Sequence, residues 1–188
     1  MVLFRHGKVF ISLLLLILVR PLLQSEETLV EVKAYISRNA VHRGEEFKVA
    51  LRVRIKKGWH INASKVENEL LIPTSFAFDT VEGLQVIESY DPEPERGRFD
   101  YSESDLSFYQ GEVLFGARVE VGADVPLGKS EMSVKFRYQA CDDRSCSPPR
   151  TIPLTVLIEV VPTAQETHSA HPEIFAKIKF TKKEGDRP

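Results

Sequence analysis

From residue 46 to 56 the chain alternates with a period of two, setting Phe47, Val49, Leu51, Val53 and Ile55 against Glu46, Lys48, Arg52, Arg54 and Lys56. Successive side chains of a strand point to opposite faces of its sheet, so this pattern belongs to a strand with one buried face. The same alternation returns at Val113, Phe115, Ala117, Val119 and Val121, and again at Met132, Val134, Phe136 and Tyr138. Ile152, Leu154, Val156, Ile158 and Val160 make a fourth run. Weaker segments at 29–36, 71–78 and 84–88 bring the expected strands to about seven, punctuated by Arg43-Gly44, Lys57-Gly58, Glu82-Gly83 and Pro126-Leu127-Gly128. No helical period intervenes. The expected fold is all-β, an antiparallel β-sandwich.

The N-terminus sets the compartment. Arg5, His6 and Lys8 precede an apolar run from 9 to 19, and no acidic residue appears before Glu26. A positive segment followed by an apolar stretch too short to cross a bilayer comfortably has the layout of a secretory signal. We read 1–25 as a signal peptide, with an uncleaved anchor as the alternative because Arg20 breaks the run and Leu23-Gln24-Ser25 offers a small residue only at its end. The expected location is therefore periplasmic or otherwise exported, with membrane contact only through an uncleaved signal. Without Arg5, Lys8 and Arg20, the 25 basic residues fall to 22 against 27 acidic ones, a net charge of −5. Basic and acidic residues alternate along polar faces, which excludes the basic groove that a nucleic-acid partner requires. One domain at 26–162 accommodates the strand pattern, and 163–188 reads as a short flexible tail.

Both cysteines of the chain fall in the segment Tyr138-Gln139-Ala140-Cys141-Asp142-Asp143-Arg144-Ser145-Cys146-Ser147-Pro148-Pro149. Continuing the alternation of the third run places Tyr138 and Ala140 inward and Cys141 outward. Cys146 follows a four-residue connection, so the thiols sit across the mouth of a hairpin, where the geometry of a disulfide is easily met. Closing so short a loop removes little entropy from the unfolded chain, about 2 kcal/mol on the loop-length model. Position thus favours a reactive pair over a structural staple, in an exported chain where disulfides persist. Asp142 and Asp143 oppose a thiolate while Arg144 favours it, which leaves thiol reactivity open. Metal binding is a third reading, but four ligands at zinc spacing are absent and the histidines read as surface or turn residues. We expect no metal and no cofactor. The lone Trp59 reads as a core anchor. The 90–109 stretch is long for a sandwich connection and reads as either functional or decorative.

The cysteine hairpin with its Tyr138-Gln139 and Pro148-Pro149 flanks resembles that of the N-terminal periplasmic domain of the thiol:disulfide interchange protein DsbD. Gly58-Trp59-His60-Ile61-Asn62-Ala63 and Leu71-Ile72-Pro73-Thr74 are similar to other segments of such domains, and the resemblance covers roughly 28–161. It implies an immunoglobulin-like sandwich in which a Cys141–Cys146 disulfide cycles with its dithiol. Electrons would pass from a membrane thiol-transport protein to periplasmic thioredoxin-like proteins, among them those of cytochrome c maturation. By the same analogy Cys146 joins the partner's sulfur and Cys141 resolves the mixed disulfide. The 90–109 segment corresponds to a cap loop with Phe99 or Tyr101 at its tip. Asp142, Asp143 and Arg144 would tune the thiolate, and Tyr138 or Gln139 would orient the hairpin.

The chain departs from the family in two ways. Some members carry a longer insert between the cysteines, and full-length interchange proteins continue into membrane helices and a thioredoxin-like domain. The expectation is thus a standalone interchange component, possessing protein-disulfide reductase activity if electron transfer is retained. The competing expectation is a non-enzymatic binding domain in which the disulfide only braces a hairpin.

Overall fold

The computed structural model describes residues 28–67 and 69–180; the expected signal peptide lies outside the described residues. The elements in chain order are β1 (Val30–Ile36), β2 (Glu46–Ile55), β3 (His60–Asn62), β4 (Ser75–Phe78), β5 (Leu84–Tyr90), β6 (Glu95–Gly97), β7 (Leu106–Gln110), β8 (Glu112–Val121), β9 (Gly128–Tyr138), β10 (Ala140–Cys141), β11 (Arg150–Val160) and α1 (Pro172–Phe175). They assemble into antiparallel sheets ordered β1-β2-β8-β5, β11-β9-β4 and β10-β3-β7-β6. The first two pack face to face as an immunoglobulin-like sandwich. The third grows out of both, since β10 follows β9 after Gln139 and β7 turns into β8 at Gly111.

The alternating residues build the core as their period requires. Phe47, Val49, Leu51 and Val53 of β2 meet Met132, Val134 and Phe136 of β9 and Val156, Ile158 and Val160 of β11, all nearly inaccessible to solvent. At the centre, Phe115 of β8 makes edge contacts with Phe136, Tyr109 and Phe76 at ring separations of 5.3, 5.3 and 5.9 Å. Trp59, expected to anchor the core, is only half-buried and packs against the core's rim. The strands that the period did not reveal are short: β3 and β6 have three residues each, β7 five and β10 two. Such lengths hold at most two full alternations, too few to separate from irregular chain.

The 163–188 segment, expected to be a flexible tail, is instead packed over the sandwich through residue 180; residues 181–188 lie outside the described residues. The Asn39 amide donates to His168 O (3.1 Å) and that of Ala170 to Ser37 O (2.8 Å), so this segment runs beside the chain leaving β1. Ile174 and Ile178 then bury their side chains against Ala50, with Tyr35, Tyr90, Leu114, Phe175 and Phe180 around them. The cause lies in the sheet's outer face, where the register sets Ala50 opposite Gly116 and leaves a shallow apolar strip. A Cβ at Gly116 would come within 2.7 Å of Phe180 Cζ. Arg118, which the alternation assigns to solvent, is buried to 3 % exposure beneath this segment and pairs with Glu88 at 3.1 Å and Glu46 at 3.5 Å. Truncating Ile178 to alanine is expected to cost about 2 kcal/mol or more of unfolding free energy. Urea denaturation would read this as a lower midpoint at unchanged slope.

Candidate functional site

The cysteine hairpin begins where a strand changes sheets. β9 pairs with β11 up to Tyr138, opposite Arg150, and after Gln139 the chain pairs with β3 instead, Ala140 opposite Ile61 and Cys141 opposite His60. The Gln139 side chain fixes this switch: its Oε1 accepts from Asn62 Nδ2 (3.1 Å) and the Ile72 amide (3.2 Å), and its Nε2 donates to Ser147 O (3.3 Å). The alternation runs on through the switch: Tyr138 and Ala140 join the sandwich core with Ile61, while Cys141 shares the opposite face with His60. Cys141 is nonetheless fully buried at 0 % exposure, not solvent-facing as an outward position on β9 implies.

Cys141 and Cys146 form a disulfide, with Cα atoms 4.0 Å apart. Cys146 is half-buried, so the two sulfurs differ in access. The hairpin holds its shape by hydrogen bonds independent of sulfur. The Asp142 amide donates to Ser145 O (2.9 Å) and the Ser147 amide to Ala140 O (2.8 Å). Asp142 Oδ1 accepts from the amides of Arg144 (2.9 Å) and Ser145 (2.8 Å), an Asx turn that closes the tip. Those two amide bonds hold the Asp142 carboxyl below the usual range. Arg144 is exposed on the tip.

A second hairpin, β6–β7, leans over the first. Glu67 braces its base: the carboxylate accepts from the Ser107 amide (3.0 Å) and hydroxyl (2.5 Å) and lies 3.7 Å from Arg96. Its connection carries Phe99 and Tyr101 onto the buried imidazole of His60. Phe99 stacks on that ring at 4.0 Å with a 16° interplanar angle, Phe108 meets it edge-on at 5.4 Å, and Tyr101 Oη is 2.7 Å from His60 Nε2. The Asp100 amide donates to Asp143 O (3.3 Å), joining the loop directly to the cysteine hairpin.

Burial drives the electrostatics here. His60, 4 % exposed, has its pKa lowered by desolvation against the opposing pull of Asp143 and Asp142, so its imidazole is neutral at neutral pH. Tyr101 is pushed up to about 12 by burial, with the same two carboxylates adding to the shift. It stays a neutral phenol throughout the physiological range.

The structure thus brings Cys141, Cys146, Asp142, Asp143, Phe99 and Tyr101 into one cluster. Gln139 lies at its base. Tyr138 does not join it: 4 % exposed, it sits in the sandwich core near Phe136, and burial raises its hydroxyl pKa. The residue that sequence reasoning missed is His60, read as a surface or turn histidine. Its signal was the Gly58-Trp59-His60-Ile61-Asn62-Ala63 segment, where Gly58 takes a positive φ of 80° to turn the chain into β3. An open groove of about 480 Å³ runs beside the hairpin, bordered by Tyr138, Ala140, Ser147 and Pro148 on one side and Thr28 and Leu29 on the other. Among the described residues no His, Cys, Asp and Glu side chains group in a way that could hold a metal ion, and no helix is long and apolar enough to cross a membrane.

Comparison with known proteins places the chain in a family. Among solved structures, the N-terminal periplasmic domain of ScsB from Proteus mirabilis aligns with a TM-score of 0.49 at 14% identity, over 72% of this chain and 48% of that one. This chain therefore spans about half the length of that relative. AggA, the major subunit of aggregative adherence fimbriae type I from Escherichia coli, aligns with a TM-score of 0.28 at 10% identity, over 70% of this chain and 96% of that one. Curated proteins give no match. The family model described as "Thiol:disulfide interchange protein DsbD, N-terminal" matches residues 26–157, which include the sandwich up to Leu157 of β11, the aromatic loop and both cysteines. The chain belongs to the family of DsbD N-terminal domains.

Proposed function

We propose that this protein is an exported thiol:disulfide exchange module, working through the Cys141/Cys146 pair and passing electrons from a membrane thiol-transport protein to thioredoxin-like proteins of the periplasm. The observation that carries this reading is an asymmetric disulfide beside a histidine that an aromatic loop covers. Cys141 is fully buried, Cys146 is half-buried, and Phe99 and Tyr101 cover the neighbouring His60. A brace needs no such cover, and the backbone and Asp142 bonds already hold the hairpin. Family membership supports the same chemistry.

Exchange proceeds through a mixed disulfide. In the reduced protein Cys146, the more accessible sulfur, attacks a partner disulfide and displaces one partner thiolate. Cys141 then attacks the Cys146 sulfur, re-forming the internal bond and releasing the second partner thiolate. Two electrons leave the dithiol and reduce the partner's disulfide. Reduction of the module by its donor is the reverse sequence. The cap loop limits this exchange to partners that can displace it, because a small thiol in solution must wait for the loop to open unaided.

Incubating the reduced protein with an oxidised thioredoxin-like protein tests the function. The expected result is dithiol-to-disulfide transfer, visible by mass spectrometry after alkylation; unchanged redox states of both proteins would remove the reading. A Phe99→Ala variant loses the stacked ring and the apolar burial of the cap, which together are worth more than about 1.5 kcal/mol. Glutathione should then reduce the Cys141–Cys146 bond at least roughly tenfold faster than in the wild type. Equal rates would show that the loop does not protect the disulfide.

A further inference from the structure

Cross-strand neighbours on an antiparallel ladder project their side chains from the same face, with Cβ atoms about 5 Å apart. The pairings His60↔Gln110, Cys141↔His60 and Cys141↔Cys146 therefore set Gln110, His60, Cys141 and Cys146 in a single row across the third sheet. His60 is the titratable group in this row beside the buried sulfur, and the exchange chemistry described above gives it no part. We propose that His60 is the proton carrier of the dithiol, taking the proton of Cys141 as that sulfur attacks the mixed disulfide on Cys146. This inference rests on the exchange reading and deepens it.

The chemistry requires such a group. A standing thiolate at Cys141 would be an anion in a site without solvent access, next to the carboxylates of Asp142 and Asp143. Removing the proton only as the S–S bond forms avoids that species. The base that takes it becomes an imidazolium, whose charge the same two carboxylates stabilise, as their upward pull on His60 shows. The other elements packed on the ring add no opposing charge. The loop offers the neutral phenol of Tyr101, and its Arg98–Asp105 pair is exposed. β7 offers the amide of Gln110, engaged with Glu95 at 2.7 Å.

The proposed role uses the tautomer with its hydrogen on Nε2, donated to Tyr101 Oη, which leaves the Nδ1 lone pair for the thiol; the bond at one ring nitrogen sets the role of the other. The step balances. The Cys141 S–H breaks, its proton goes to Nδ1, the Cys141–Cys146 bond forms, the bond between Cys146 and the partner sulfur breaks, and that sulfur leaves with the electron pair. The imidazolium then gives the proton to the departing thiolate or to water.

The closing experiment uses 5,5′-dithiobis(2-nitrobenzoate) as a model disulfide with the reduced full chain. The first equivalent of thionitrobenzoate reports mixed-disulfide formation and the second reports closure by Cys141. With His60 as base, closure should be nearly independent of pH above the histidine titration and fall about tenfold per unit below it. His60→Asn keeps a polar partner for Tyr101 and His60→Phe keeps the stack on Phe99, so at least one packing contact survives in each, and circular dichroism checks that each folds. In both variants closure should instead rise about tenfold per pH unit across pH 6–8, as free thiolate attack requires, and be at least tenfold slower than wild type at pH 6.5. Folded variants with the wild-type profile would overturn the role of His60 while leaving exchange intact. Loss of the first thionitrobenzoate release in the wild type would instead remove the exchange reading itself.

Discussion

Replacing Cys141 with alanine is expected to stop exchange at a covalent complex. Cys146, the half-buried sulfur, can still attack a partner disulfide, but nothing remains to resolve the product. The variant should accumulate a mixed disulfide with a thioredoxin-like partner, visible as a reducible band on non-reducing electrophoresis, with turnover abolished. Cys146→Ala should form no such complex at comparable rate, because the surviving sulfur at Cys141 has 0 % exposure. Equal trapping by both variants would contradict the assignment of roles. Stability is not the explanation for either phenotype, since the hairpin keeps its backbone bonds and its Asx turn without sulfur.

Phe115→Ala is expected to lower the unfolding free energy by about 3–5 kcal/mol, a large share of the total for a domain of this size. Its ring is fully buried and touches Phe76, Tyr109 and Phe136, so truncation leaves a cavity bordered by residues from β4, β7 and β9. Chemical denaturation would measure the loss. A cost under about 1 kcal/mol would mean that the sheets close over the gap, contrary to a tightly packed centre.

Phe115 also shows how far the sequence carries the fold. It sits in one of four long alternating runs, and those runs locate β2, β8, β9 and β11 and the core between them. Tyr109, which touches it, lies in a five-residue strand where no period can be read. The candidate site is less legible for the same reason. The two cysteines are adjacent enough in the chain for a disulfide to be read directly, yet Cys141 is buried on the face it shares with His60, away from the sandwich core, and periodicity within one strand holds no information about what covers that face. His60 lies in a three-residue strand, and its environment comes from Phe99, Tyr101 and Phe108, which lie about 40 residues or more further along the chain. The packed 163–180 segment was hidden differently: its few apolar residues, Ile174, Phe175, Ile178 and Phe180, suffice only because Ala50 and Gly116 leave room for them on the sheet.

The equilibrium of the Cys141–Cys146 pair with defined glutathione buffers tests the central claim most directly. A working dithiol should exchange completely and reversibly, with a midpoint potential above about −300 mV, within reach of biological thiols. A bond that stays closed below that potential, as structural disulfides do, would contradict the account and leave the pair a brace.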